Sequence, residues 1–286
     1  MKICFHFLRA KLKPRDLSRF FGMKKYITII KTYWQRALAY RFTVFVYRIG
    51  EVGEILVLIL MWSAIYGGNK VIGGFTFQEM LTYILVGNFF NVMIRNWLEN
   101  YIAGDIKDGR LSVFLIKPIA YFNYVLFREI GRISLAVLMS VLSQALVILF
   151  FFSKFIFNFD ILYLLLIFLM IILAFITELL LSFLIGLIAF WTDEVDGVYR
   201  TIERLKKFFS GGYFPINLLP AAFVNISLFL PFAYSFFVPA QLYLKKIDLS
   251  AGLKGILVQI VWLFLLYGII KAVWNRGLKR YEGVGI

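Results

Sequence analysis

Cysteine and histidine are almost missing from this chain: Cys4 and His6 stand alone of their types among 286 residues. One cysteine forms no intrachain disulfide, and one of each builds no structural zinc cluster. A serine triad is unsupported too, because the single histidine lies in the first few residues and no Gly-x-Ser-x-Gly elbow occurs. The glycine-rich string ending in Gly-Lys-Ser or Gly-Lys-Thr, whose backbone amides and lysine cradle nucleotide phosphates, is also missing. GEVGE (Gly50 to Glu54) and GGNK (Gly67 to Lys70) lack its spacing and read as packing and turn glycines. The expectation is a chain with no catalytic residues, no metal site and no directly bound cofactor.

Charge is scarce as well, at 16% of residues, and acids are scarcer than bases, 16 against 31. Hydrophobic residues fill the difference: 62% of the chain, with 19% aromatic and a mean hydropathy of +0.83. A soluble domain is nearer half apolar and a quarter charged. The run from Ile161 to Trp191 exceeds the roughly 20 apolar residues that span a bilayer. The surplus therefore belongs in lipid, and the fold class expected is an all-α polytopic membrane protein. A net charge of +15 suggests nucleic acid in a soluble protein, but here the bases gather at the ends of apolar segments. Membrane orientation accounts for them better, and no nucleic-acid partner is expected. Between Met1 and Arg41 there are eleven Lys or Arg against one acid, Asp16.

No cleavable signal peptide is evident, since the first long apolar stretch runs on as a spanning segment. Met23 reads well as a translation start, so residues 1–22 are expected to be a basic, dispensable extension. From Lys24 to Arg41, Tyr26, Ile27, Ile30, Tyr33, Trp34 and Leu38 recur at helical spacing among cations, the pattern of an amphipathic helix in the membrane interface. Spans are expected at about 43–66, 79–101, 123–152, 160–191, 196–214 and 253–274. The polar interval 103–122 between the second and third is broken by glycines and Pro118. The fifth is the hardest to place, because Arg200, Glu203, Arg204, Lys206 and Lys207 fit either a helix shielded by protein or one on the cytoplasmic surface. Pro215, Pro220, Pro231 and Pro239 then suit two short helices that dip into the membrane and return, over 216–244. Cation bias puts the amino terminus, the 103–122 loop, the Arg200 to Lys207 cluster and the basic tail in the cytoplasm, so both termini lie inside and the crossings are even in number.

Ionisable residues inside apolar segments are costly and mark either function or buried pairing. Glu178, in the middle of LAFITELLLSF, is the sharpest case. It reads as a substrate or proton ligand or, more simply, as a carboxylate bonded to a neighbouring helix. Arg48, Glu51 and Glu54 share one face of the first span, where Arg48 can pair with Glu51 at i, i+3. Arg95 and Glu99 repeat the arrangement at i, i+4 near the end of the second span. Trp62, Trp97, Trp191, Trp262 and Trp274 fall near span ends as an interfacial belt.

Four stretches together resemble the permease subunits of type-2 ATP-binding-cassette (ABC) exporters, in particular a bacterial subgroup encoded as unlike permease pairs with one ATPase. They are DIKDGRLSVFLIKPI (Asp105 to Ile119), FWTDEVDG (Phe190 to Gly197), SGGYFPINLLP (Ser210 to Pro220) with LPFAYSFFVPAQLYL (Leu230 to Leu244), and WNRGLKRYEGVG (Trp274 to Gly285). The resemblance covers about Met23 to Gly285. It implies six spanning helices in the bacterial inner membrane, an efflux role, and a dimer made with a second copy or an unlike sibling. It also implies a separate ABC ATPase that carries ATP and magnesium. The ATPase would grip a coupling segment over 104–118, including Gly104, Gly109 and Pro118. There Ile106, Leu111, Phe114 and Leu115 would insert into the partner, with Asp105, Lys107, Asp108 and Arg110 as a polar rim. Ser210, Gly211, Gly212 and Pro215 match the boundary that closes the fifth span and opens the re-entrant hairpin. The alternative reading of the whole chain is a proton-coupled carrier or channel that uses Glu178.

Overall fold

Apolar runs of this length have to satisfy their backbone internally, and they do so as helices. The computed structural model describes residues 23–68, 71–116, 119–192 and 195–281. In chain order these form α1 (Met23–Ala39), α2 (Arg41–Tyr66), a hairpin of β1 (Val71–Ile72) and β2 (Phe75–Thr76), α3 (Phe77–Ile94), α4 (Leu98–Lys107), α5 (Leu111–Ile116), α6 (Tyr121–Phe150), α7 (Ile161–Leu187), α8 (Asp196–Phe209), α9 (Ala221–Phe229), α10 (Phe237–Tyr243) and α11 (Leu249–Arg280). The two strands pair antiparallel, Val71 with Thr76 and Ile72 with Phe75. Among the described residues, three helices are long and apolar enough to cross a membrane: α6, α7 with its 3-10 extension to Phe190, and α11. Pro118 and residues 1–22, named above, lie outside the described residues.

Local chemistry sets the helix starts. The Thr76 side chain accepts from the Glu79 amide at 3.3 Å while Glu79 accepts from the Thr76 amide at 2.7 Å, a capping box that opens α3. Asp160 accepts from the Leu162 amide at 3.2 Å and opens α7. The apolar face of α1 covers the first half of α6: Tyr26 stacks on Phe127 at 4.1 Å, and the Trp34 indole donates to the Gly131 carbonyl at 3.1 Å and the Ser134 hydroxyl at 2.9 Å. Gln259 of α11 donates to the Met170 carbonyl of α7 at 3.1 Å, a buried interhelical bond.

The apolar interior divides into two clusters. One, at the hairpin end, gathers Ile55, Ile59, Trp62, Met80, Leu81, Tyr83, Phe236 and Ala240. The other, at the end holding α4 and α5, gathers Leu98, Ile102, Leu111, Tyr121, Leu179, Phe183 and Leu266. Trp62 therefore belongs to the core and not to an interfacial belt, because it sits one turn from Ile59 on the buried face of α2.

Two expected spans are altered. The second, expected unbroken over 79–101, stops at Ile94 and restarts at Leu98. The Asn96 side chain accepts from the Leu98 amide at 3.1 Å, an Asx turn that competes with helix continuation. The fifth, expected over 196–214, is a helix of 14 residues, about 21 Å long against a hydrocarbon core of about 30 Å. It cannot cross alone. Its last turn is drawn into the protein, with Lys206 buried, while Arg200 and Arg204 stay exposed. The segment 216–244 folds as α9 and α10 joined by a 3-10 turn, Pro231–Ser235, and Trp262 of α11 donates to the Phe229 carbonyl at 2.8 Å.

Candidate functional site

The charges of α2, α7 and α8 converge on one cavity of about 560 Å³, lined among others by Arg48, Glu51, Glu54, Asn91, Arg95, Glu178 and Lys206. Phe232, Ser235 and Phe236 of the hairpin also line it, as do Tyr47, Trp97 and Arg132.

Pairing in this cavity runs both within helices and between them. Arg48 meets Glu51 as the i, i+3 spacing implies, and Ser140 of α6 joins the pair by donating to Glu51 at 3.1 Å. Glu54 takes Lys207 of α8 as its partner. Glu178 takes Lys206, which also reaches Glu203 at 2.9 Å. A charged turn that hydropathy places poorly is thus fastened at its carboxyl end to α7 and α2. Removing one member of the shielded Glu178 and Lys206 pair strands the other, at a typical cost of about 3–5 kcal/mol.

Arg95 does not pair with Glu99, because the break at 95–97 resets the helical phase between them. Arg95 turns to Glu203 at 3.8 Å and lies over the Trp97 ring at 5.0 Å. Glu99 is fully buried, with no hydrogen-bond partner for either oxygen among the described residues. Arg132 pairs with Glu129 at 2.5 Å and donates to the Arg95 carbonyl, which helps hold the break open.

The segment from Gly104 to Ile116 is organised around Asp105. Its carboxylate accepts from Arg110 at 2.9 Å and from the Tyr121 hydroxyl at 2.8 Å, and Arg110 also reaches Asp108 at 2.5 Å. The hydrogen bond to Asp105 raises the Arg110 pKa above its already high value. Gly109 sits at φ +71°, the left-handed region that turns the chain from α4 into α5, and a Cβ on Gly104 would stand 3.0 Å from the Arg110 guanidinium. The Tyr281 hydroxyl accepts from the Ser112 amide at 3.2 Å and ties the tail to this segment.

The expected insertion face changes here. Ile106 and Leu111 are buried in the chain's own core, and Phe114 packs on the Tyr121 and Tyr124 rings at 5.2 and 4.6 Å. The apolar side chains left outward are Leu115 together with Val113 and Ile116, the last 81% exposed. Spacing alone does not give the exposure of Val113 and Ile116, because α5 is under two turns long and its phase depends on where α4 ends.

At the other end, Ser210, Gly211 and Gly212 form the turn that closes α8. Gly211, at φ +82°, accepts from the buried Tyr83 hydroxyl at 2.7 Å, and the Ser210 carbonyl accepts from the Phe237 amide at 3.0 Å. A Cβ at Gly211 would stand 2.6 Å from that hydroxyl oxygen, so glycine is needed twice over. The Pro215 carbonyl accepts from Leu218 at 3.1 Å and starts the hairpin.

A second cavity of about 460 Å³ lies across α3 from the first and is almost wholly apolar, lined by Leu85, Val86, Phe89, Met93, Ile148 and Phe168, with Gln144 among its few polar residues.

Comparison with protein-family models matches residues 52–285 to the ABC-2 family transporter protein model. Comparison with the curated proteins finds no significant match.

Proposed function

Because the chain belongs to the ABC-2 family of transporter proteins, a family of membrane transport components, we propose that it is the permease subunit of an ABC exporter, driven by a separate ATPase. In this reading the charged cavity is part of the translocation path, and the hairpin residues Phe232, Ser235 and Phe236 are its gate. ATP and magnesium bind on the partner, which docks on α5 through Val113, Leu115 and Ile116, with Asp108 and Arg110 as rim. A second permease chain, identical or an unlike sibling, completes the passage. The amino-terminal helix, the segment from Gly104 to Ile116 and the tail face the cytoplasm of a bacterial cell, which fits their cations, Lys107 and Arg110 in that segment among them.

The observation that carries the proposal is the outward apolar face of α5 on a segment locked from behind by Asp105, Arg110 and Tyr121. A solvated connecting loop has no need of that bracing, whereas a lever that transmits force does. Glu178 gives the proton-carrier reading little support, since its carboxylate is engaged by Lys206. The test is Ile116→Asp. The variant should insert and stay stable, because the side chain is exposed, yet fail to retain the ATPase in mild detergent. Undiminished co-purification with normal ATP-driven transport would contradict docking at α5.

A further inference from the structure

The charges lining the large cavity do not balance. Its carboxylates, Glu51, Glu54, Glu178 and Glu203, are each engaged by a lining cation. Arg132 is matched by Glu129, which lies behind the wall. With Glu129 counted, five carboxylates face six cations, and because Lys206 serves both Glu178 and Glu203 the surplus is shared by two arginines. Arg204 makes no ion pair or hydrogen bond among the described residues, and Arg95 has its nearest carboxylate at 3.8 Å, on Glu203, which Lys206 already engages at 2.9 Å. The Arg95 Nε is buried without a hydrogen-bond acceptor. The side chain of Asn91, on the same wall, has no hydrogen bond among the described residues and adds a neutral donor.

We propose that Arg204 and Arg95 seat an oxyanion, a phosphate ester or a carboxylate, and that the cargo is an amphiphile carrying such a head group. The proposal rests on the permease reading and names its substrate class. A cationic ligand would have to take a carboxylate away from Arg48, Lys206 or Lys207, whereas an anion meets Arg204 and gives up only the 3.8 Å contact of Arg95 with Glu203, a carboxylate that Lys206 holds more closely. Guanidinium suits this role because its planar fork binds carboxylate and phosphate in pairs of hydrogen bonds. An apolar tail is indicated by the flank of the cavity. Val46 and Tyr47 line it, and Phe42, Phe45 and Ile49 lie exposed on the same helix. Trp97 supplies an aromatic face beside Arg95.

The test uses the complex with its ATPase in phosphatidylcholine nanodiscs and the equilibrium binding of three radiolabelled probes: dodecyl phosphate, dodecyltrimethylammonium and inorganic phosphate. Dodecyl phosphate should bind at least about tenfold more tightly than the cation, the effect of one charge-assisted contact. Arg204→Gln and Arg95→Gln should each weaken dodecyl phosphate by about tenfold, and Arg204→Lys should retain most of its binding. Weaker binding of inorganic phosphate supports an amphiphilic source, and equal binding keeps the oxyanion seat but assigns it to a water-soluble anion. A preference for the cation, or unchanged binding in an Arg204→Gln/Arg95→Gln double variant that still co-purifies with the ATPase, overturns the proposal. Failure of the unaltered chain to hold any ATPase would instead overturn the permease reading, so the two failures are distinguishable.

Discussion

Helix α3 separates two cavities of similar size and opposite chemistry. Toward Asn91 and Arg95 it faces the charged cavity of about 560 Å³; toward Leu85, Val86, Phe89 and Met93 it faces the apolar one of about 460 Å³. An apolar wall in a membrane protein is satisfied by lipid tails and commits the chain to nothing further. A wall of ion pairs has to be built residue by residue, since each unpaired charge in such a place costs several kcal/mol. The contrast teaches that the polar side is the purposeful one; in the permease reading proposed above, the last turns of α3, with Asn88 and Asn91 toward one cavity and Phe89 and Met93 toward the other, are the partition between passage and bilayer.

The comparison breaks most sharply at Lys206. Lys206→Met strands the shielded Glu178 carboxylate and should cost about 3–5 kcal/mol, read as lost stability in detergent unfolding; adding Glu178→Leu should restore most of it. Next in size is a pair of substitutions on α3 itself. Val86→Asp puts a charge on the apolar side and should cost about 2.5–3.5 kcal/mol. Asn91→Asp, five residues on and facing the cations, should cost under about 1 kcal/mol in the same unfolding assay. Equal costs would erase the distinction between the two faces. The smallest effect is expected from Asn96→Ala, which removes the Leu98 bond and should lower stability by about 1 kcal/mol.

Much of this arrangement could be read before the structure. Long apolar runs give α6, α7 and α11 within a few residues, because hydrophobic length is a local property. The Arg48 and Glu51 pair follows from spacing within one uninterrupted helix. What spacing could not supply was set by tertiary contact. The Arg95 and Glu99 pair failed because a single Asn96 side chain breaks the helix between them. The partners of Glu178 and Glu54 lie 28 and 153 residues away, beyond any periodic pattern. The burial of Leu111 in the chain's own core was not legible, because amphipathic segments show which residues are apolar but not which neighbour they bury against.

The most direct test of an ATP-gated passage on the charged side alone is thiol accessibility in a Cys4→Ser background. Single cysteines at Asn91 and Val86 are exposed to a membrane-impermeant maleimide from the cytoplasmic side, with the ATPase first nucleotide-free and then trapped with ATP. The account predicts that Asn91→Cys reacts readily without nucleotide and is protected in the trapped state, while Val86→Cys stays unreactive in both. Reaction at Val86→Cys, or labelling of Asn91→Cys that ignores the nucleotide, would contradict it.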